Sequence, residues 1–148
     1  MAKFASTTKV PVDRTRAEIE RLVVTAYKCR RFSSGMDFPN RTAMIQFETH
    51  DRIVRFVLNL PDRRKFYEDR KYEQAERTFW RAFLLVIKAK LEAVENNIAT
   101  FEQEFMANIV MPNDQTIEQI LTPLIADAYR GGVMPRGLLA LPAHVDVE

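Results

Sequence analysis

At 148 residues, with 47% hydrophobic and 28% charged residues, the chain has the size and composition of one globular domain and lacks the bias of a disordered or fibrous protein. Its longest apolar run, Phe83-Leu84-Leu85-Val86-Ile87, is far too short to span a bilayer, and Met1-Ala2-Lys3-Phe4-Ala5-Ser6 lacks the apolar stretch of a secretory signal. One cysteine, Cys29, cannot close an internal disulfide, so the expected compartment is the cytoplasm.

The expected fold class is α+β, with a polar arm over residues 1–10, one domain over 11–142 and a polar tail over 143–148. Pro11-Val12-Asp13 leads into a first helix, for which Thr15 and Glu18 have capping-box spacing and Asp13 competes as the cap. Ile19, Leu22, Val23, Ala26 and Tyr27 form its apolar stripe, and it should end near Cys29. The period then changes to two. Residues 32–38 are a weak strand candidate broken at Ser33-Ser34-Gly35, and Pro39-Asn40 signals a turn. Ala43, Ile45 and Phe47 alternate with Met44, Gln46 and Glu48, and Val54, Phe56, Leu58 and Leu60 with Arg55, Val57 and Asn59. The short link Thr49-His50-Asp51-Arg52 makes these an antiparallel meander of two or three strands, its Val54/Phe56 face packed on helices.

Residues 62–71 are densely charged and read as either a mobile loop or the start of the next helix. A long helix follows over about 72–97, with Phe79, Phe83, Val86, Ile87, Val94 and Ile98 marking its apolar face. Trp80, Leu84 and Leu91 flank that face, and Arg77, Arg81, Lys88, Glu92 and Glu95 mark the wet side. Asn96-Asn97 suits a left-handed stop. Two shorter helices complete the chain, capped by Thr100/Gln103 and Thr116/Gln119. The last should turn Ile117, Ile120, Leu121, Leu124, Ile125 and Ala128 inward and end at Gly131-Gly132, with Leu138, Leu139 and Leu141 clipped onto the body.

No catalytic, cofactor or metal residues stand out, and the expectation is a protein that is not an enzyme. His50 and His144 are 94 positions apart with no cysteine near either, and the four glycines form no phosphate-cradling loop. Cys29 lies beside Lys28, Arg30 and Arg31, which would lower its pKa, but no histidine is local to act as a base.

Charge is the informative feature. The net charge is +2, but residues 1–65 hold 14 Lys/Arg against 7 Asp/Glu and residues 66–148 hold 8 against 13, giving +7 and −5. Arginine suits bidentate phosphate contact, and Phe66, Tyr67 and Tyr72 interleave with the basic connector as a single-strand binder requires. The expected nucleic-acid-binding residues are Arg14, Arg16, Arg52, Arg55, Arg63, Arg64 and Lys65. The alternatives are a protein-binding module that inhibits or adapts a host defence or replication protein, met by the exposed strand edge or the Arg77/Arg81/Lys88 stripe, and self-association of the +7 and −5 regions; no membrane contact is expected. The element order is that of double-stranded-RNA-binding domains, but order alone licenses no function.

Three stretches carry a resemblance: Lys9-Val10-Pro11-Val12-Asp13-Arg14-Thr15-Arg16-Ala17-Glu18-Ile19-Glu20, Val54-Arg55-Phe56-Val57-Leu58-Asn59-Leu60-Pro61, and residues 80–95. With Phe101-Glu102-Gln103-Glu104-Phe105 and Ile109-Val110-Met111-Pro112-Asn113-Asp114, they resemble a family of small proteins encoded by tailed bacteriophages and prophages, in the same order over nearly the whole chain. The chain departs from that pattern at Tyr27-Lys28-Cys29 and Asn113-Asp114. The resemblance implies a phage accessory protein in the host cytoplasm and brings no catalytic residues.

Overall fold

The computed structural model describes residues 5–136. Pro11, with φ −59°, opens α1 (Val12–Arg21); no side chain caps it. Thr15 is therefore an interior helical residue, fully buried, rather than the expected cap. The helix continues as a π turn over Leu22–Ala26, closed by Tyr27 N–H donating to the Leu22 carbonyl, and Lys28 follows with φ 52°.

The three strands are β1 (Arg31–Asp37), β2 (Thr42–Thr49) and β3 (Arg52–Asn59), paired antiparallel in the order β1-β2-β3. β1 runs unbroken through Ser33-Ser34-Gly35, because β2 supplies a full ladder from Arg31↔Glu48 to Asp37↔Thr42. β2 and β3 join through a two-residue turn whose His50 and Asp51 both have positive φ, the primed turn that matches strand twist. One face of the sheet is apolar, with Ala43, Ile45, Phe47, Val54 and Phe56 all buried. The other carries Met44, Gln46, Glu48, Ile53, Arg55 and Val57, of which Ile53 and Val57 are exposed.

The charged connector forms a 3-10 turn at Arg63–Lys65, capped by Asp62, and α2 (Asp69–Glu95) begins three residues before the expected start. Along α2 the buried residues are Trp80, Phe83, Leu84, Ile87 and Leu91, at the i, i+3, i+4, i+7, i+11 spacing of one helical face. That stripe centres on the flank residues Trp80, Leu84 and Leu91, and Val86 turns outward, 48% exposed. Ile98 is exposed because Asn97, at φ 56°, has already ended the helix.

α3 (Phe101–Phe105) and α4 (Ile117–Gly131) each start with a full capping box, and Gly132 closes α4 in the left-handed conformation. Phe105 is fully buried and meets Phe47 and Phe56 edge-on, joining α3 to the sheet. Val110 N–H donates to Ile53 O, which lays the segment before α4 along the free edge of β3. None of the expected inward residues of α4 is fully buried, and Ile125 is half exposed. The helix leans on the body along one narrow line, so its stripe is shared between contact and solvent.

At the N-terminus, Gln74 Nε2 donates to the Ser6 and Thr8 carbonyls and Thr78 Oγ1 to that of Ala5, holding the described part of the arm against α2. Leu138, Leu139 and Leu141 lie outside the described residues. Among these residues, no helix is long and apolar enough to cross a membrane.

Candidate functional site

The seven expected phosphate-contacting cations occupy four separate places, and most have partners within the fold. Arg14 lies on α1 with Nε 3.8 Å from Glu18. Arg16, half-buried, sets its guanidinium 5.4 Å from the centre of the Trp80 ring. Arg55 is on the outer sheet face, its side chain only 16% exposed. Its Nε donates to Gln46 Oε1 at 2.8 Å, and its two terminal nitrogens donate to the Asp114 carbonyl at 2.9 Å and carboxylate at 2.7 Å. That is a clamp between β3, β2 and the turn before α4.

Arg63 pairs with Asp69 and donates to the Phe66 carbonyl, while Arg64 grips Asp62 through two nitrogens. The Arg64 hydrogen bond and charge hold the Asp62 carboxyl below the usual carboxylate range. Tyr72 is occupied as well: Arg63 and Arg41 sit 5.5 and 5.1 Å from its ring centre, and Phe66 meets it edge-on. Its expected part in a stacking platform is thus taken by structural contacts; Tyr67 alone among the connector aromatics stands fully in solvent. Arg52 and Lys65 are exposed.

What the fold does gather is a second set of cations at the far end of the sheet. Arg30 reaches Asp51 at 3.0 Å and Glu48 at 4.0 Å, Arg31 reaches Glu48 at 3.4 Å, and Arg52 donates to the Asp51 carbonyl. Exposed Lys28 lies on the approach to β1, so four cations share this end with two carboxylates. His50 here is exposed, as expected of a turn residue, but its ring stacks on Phe101 at 4.8 Å.

A different surface lies on the helical layer. α1 with its π turn packs alongside α2, leaving a groove of about 450 Å³. Leu22, Leu84 and Leu85 give it an apolar floor, and Leu85 is 44% exposed, high for leucine. Arg21, Arg81 and Lys88 stand on its rim with one carboxylate, Glu18, which accepts from Arg81 at 2.8 Å. The sequence marks Arg81 and Lys88 as one stripe, but only the docking of α1 on α2 brings Arg21 and Leu22 to them.

Two remaining candidates resolve simply. Burial pushes the Cys29 thiol up from its ordinary value, outweighing a hydrogen bond with Thr49 that lowers it; Arg30 and Arg31 are turned to Glu48 and Asp51 and do not activate it as their adjacency suggested. Tyr27 donates to Glu92 at 2.9 Å, and burial with that carboxylate raises its pKa to about 12. Among the described residues, no three His, Cys, Asp or Glu side chains gather where they could hold a metal ion. No protein-family model, no curated protein and no solved structure matches this chain.

Proposed function

We propose that this protein is a non-enzymatic accessory module, in the phage setting its sequence resembles, that binds another protein through the groove between α1 and α2. The observation carrying this reading is the basic-rimmed apolar groove, where a leucine that burial would stabilise is left half in water. The cations expected to meet phosphate are drawn instead into ion pairs, aromatic faces and strand clamps, which leaves less charge for a polyanion. The test is recovery of the tagged 148-residue chain from nuclease-treated host lysate, beside Leu85→Glu. A stoichiometric protein retained by the wild type and lost by Leu85→Glu supports the reading; equal recovery with both chains contradicts it.

Nucleic-acid binding is the second reading, favoured by the cations at the hairpin end of the sheet. If Arg30, Arg31 and Arg52 each neutralise one phosphate, log K falls with log salt at a slope of about −3. Arg30→Glu with Arg52→Glu removes most of that slope. No binding to single- or double-stranded DNA or RNA at low salt eliminates this second reading.

A further inference from the structure

We infer that the occupant of the α1–α2 groove is an acidic amphipathic helix; this rests on the protein-binding reading above and specifies its partner's chemistry. Charge is the first ground. Arg21, Arg81 and Lys88 surround the leucine floor, and Glu18 is the one carboxylate among them, already engaged by Arg81. Arg21 and Lys88 form no ion pair among the described residues, so carboxylates arriving beside the floor meet two uncommitted cations. A basic occupant would add like charges there and be rejected.

Backbone hydrogen bonding decides the conformation. Every lining residue belongs to α1, its π turn or α2, whose peptide groups bond within their own helices. An extended peptide laid there would find no strand edge to pair with and would leave its own N–H and C=O groups without protein partners. A helix brings those groups already satisfied and offers apolar side chains three and four residues apart. The groove follows α2 from Arg81 to Lys88, about 10 Å, which accommodates about two turns of such a helix.

The π turn strengthens the assignment from a separate direction. It places Leu22, Thr25 and Ala26 along the groove wall and inserts an irregular turn into an otherwise regular helix. Such turns are rare and recur at functional sites. Here the irregularity coincides with the open groove.

The probe is a fluorescein-labelled helical peptide of about 18 residues, with leucines at i, i+4, i+7 and i+11 flanked by glutamates, beside a twin carrying lysines for glutamates. Titrated with the whole chain and followed by anisotropy, the glutamate probe should bind about tenfold tighter than its twin. Leu85→Glu should weaken it about tenfold, and Arg21→Glu with Lys88→Glu should reverse the preference between probes. All three substituted positions are exposed, so the variants should keep the wild-type circular dichroism and melting point. Equal binding of the two probes, or glutamate-probe binding unaltered by Leu85→Glu and by the double reversal, overturns the inference. So does a salt-independent dimer by sedimentation with the groove resonances broadened, since a second copy would then be the occupant. Should a host protein depend on Leu85 while neither probe binds, the helical chemistry is wrong and the protein-binding reading stands. Loss of both results removes the two together.

Discussion

Replacing Arg55 by methionine keeps the aliphatic stem and deletes the guanidinium that joins β3 to β2 and to the turn before α4. Three hydrogen bonds disappear, to Gln46 Oε1, the Asp114 carbonyl and the Asp114 carboxylate. The first two are worth about 1 kcal/mol each net of solvation. The third adds only about 0.5 kcal/mol, because Asp114 is 83% exposed and water screens the pair. The expected loss is about 2.5 kcal/mol, or a melting point lower by about 5–10 °C in a domain of this size. Amide exchange should quicken from Val110 to Gln115, the stretch the clamp holds. Arg52→Met is the control, since that exposed side chain bonds only the neighbouring carbonyl and its removal should stay within about 0.5 kcal/mol. Thermal and urea unfolding of both variants decide the matter. If Arg55→Met melts with the wild type while nucleic-acid affinity falls, Arg55 is a phosphate contact and the clamp is misread.

Asp51→Gly should raise stability by about 0.5 kcal/mol, because relief at φ 55° exceeds the loss of an exposed pair with Arg30. His50→Gly relieves a similar angle but forfeits the Phe101 stack, so denaturant midpoints should rank Asp51→Gly above it. Tyr27, raised from 10.0 to about 12 in the fold, adds stability that is complete below pH 10 and lost as the pH rises through about 12. Tyr27→Phe should therefore flatten the alkaline limb of the stability profile, and an unchanged limb would refute that role. Cys29, buried with its thiol pushed up, should react with iodoacetamide at neutral pH far more slowly in the native than in the urea-unfolded chain. Equal rates would contradict its burial.

Local signals carried most of the architecture. Val54 and Phe56 alternate against a buried face, Thr100/Gln103 and Thr116/Gln119 each close a capping box, and Asn97 supplies the left-handed stop, all within a few residues of chain. The misreadings of β1 and α2 depend on what another element does, and that of the first cap is local. Thr15 and Glu18 have cap spacing, yet Pro11 begins the helix earlier and Thr15 is buried in the packed layer. Ser33-Ser34-Gly35 has weak strand propensity, which the β2 ladder overrides. The apolar face of α2 is broad enough for two orientations, and docking of the Trp80 side decides between them.

The same division holds for the candidate site. Charge counting locates the arginines but not their partners; Asp114 lies 59 positions from Arg55, and Glu18 lies 63 from Arg81. The stripe that joins Arg81 and Lys88 is readable from period alone, but Arg81 is not on the wet side as expected: it lies half-buried against Glu18 of α1. The leucine floor of the groove is not readable in this way, because Leu22 and Leu85 become neighbours only when α1 lies against α2.

Photocrosslinking in living cells, with p-benzoylphenylalanine placed at Leu85 or, in a second chain, at Arg52, separates the groove from the hairpin end of the sheet. Protein binding through the α1–α2 groove predicts one discrete, nuclease-resistant protein adduct at Leu85, absent when Arg21→Glu and Lys88→Glu are added. Nuclease-sensitive adducts at Arg52 with none at Leu85 would contradict it and move the binding surface to the hairpin end of the sheet.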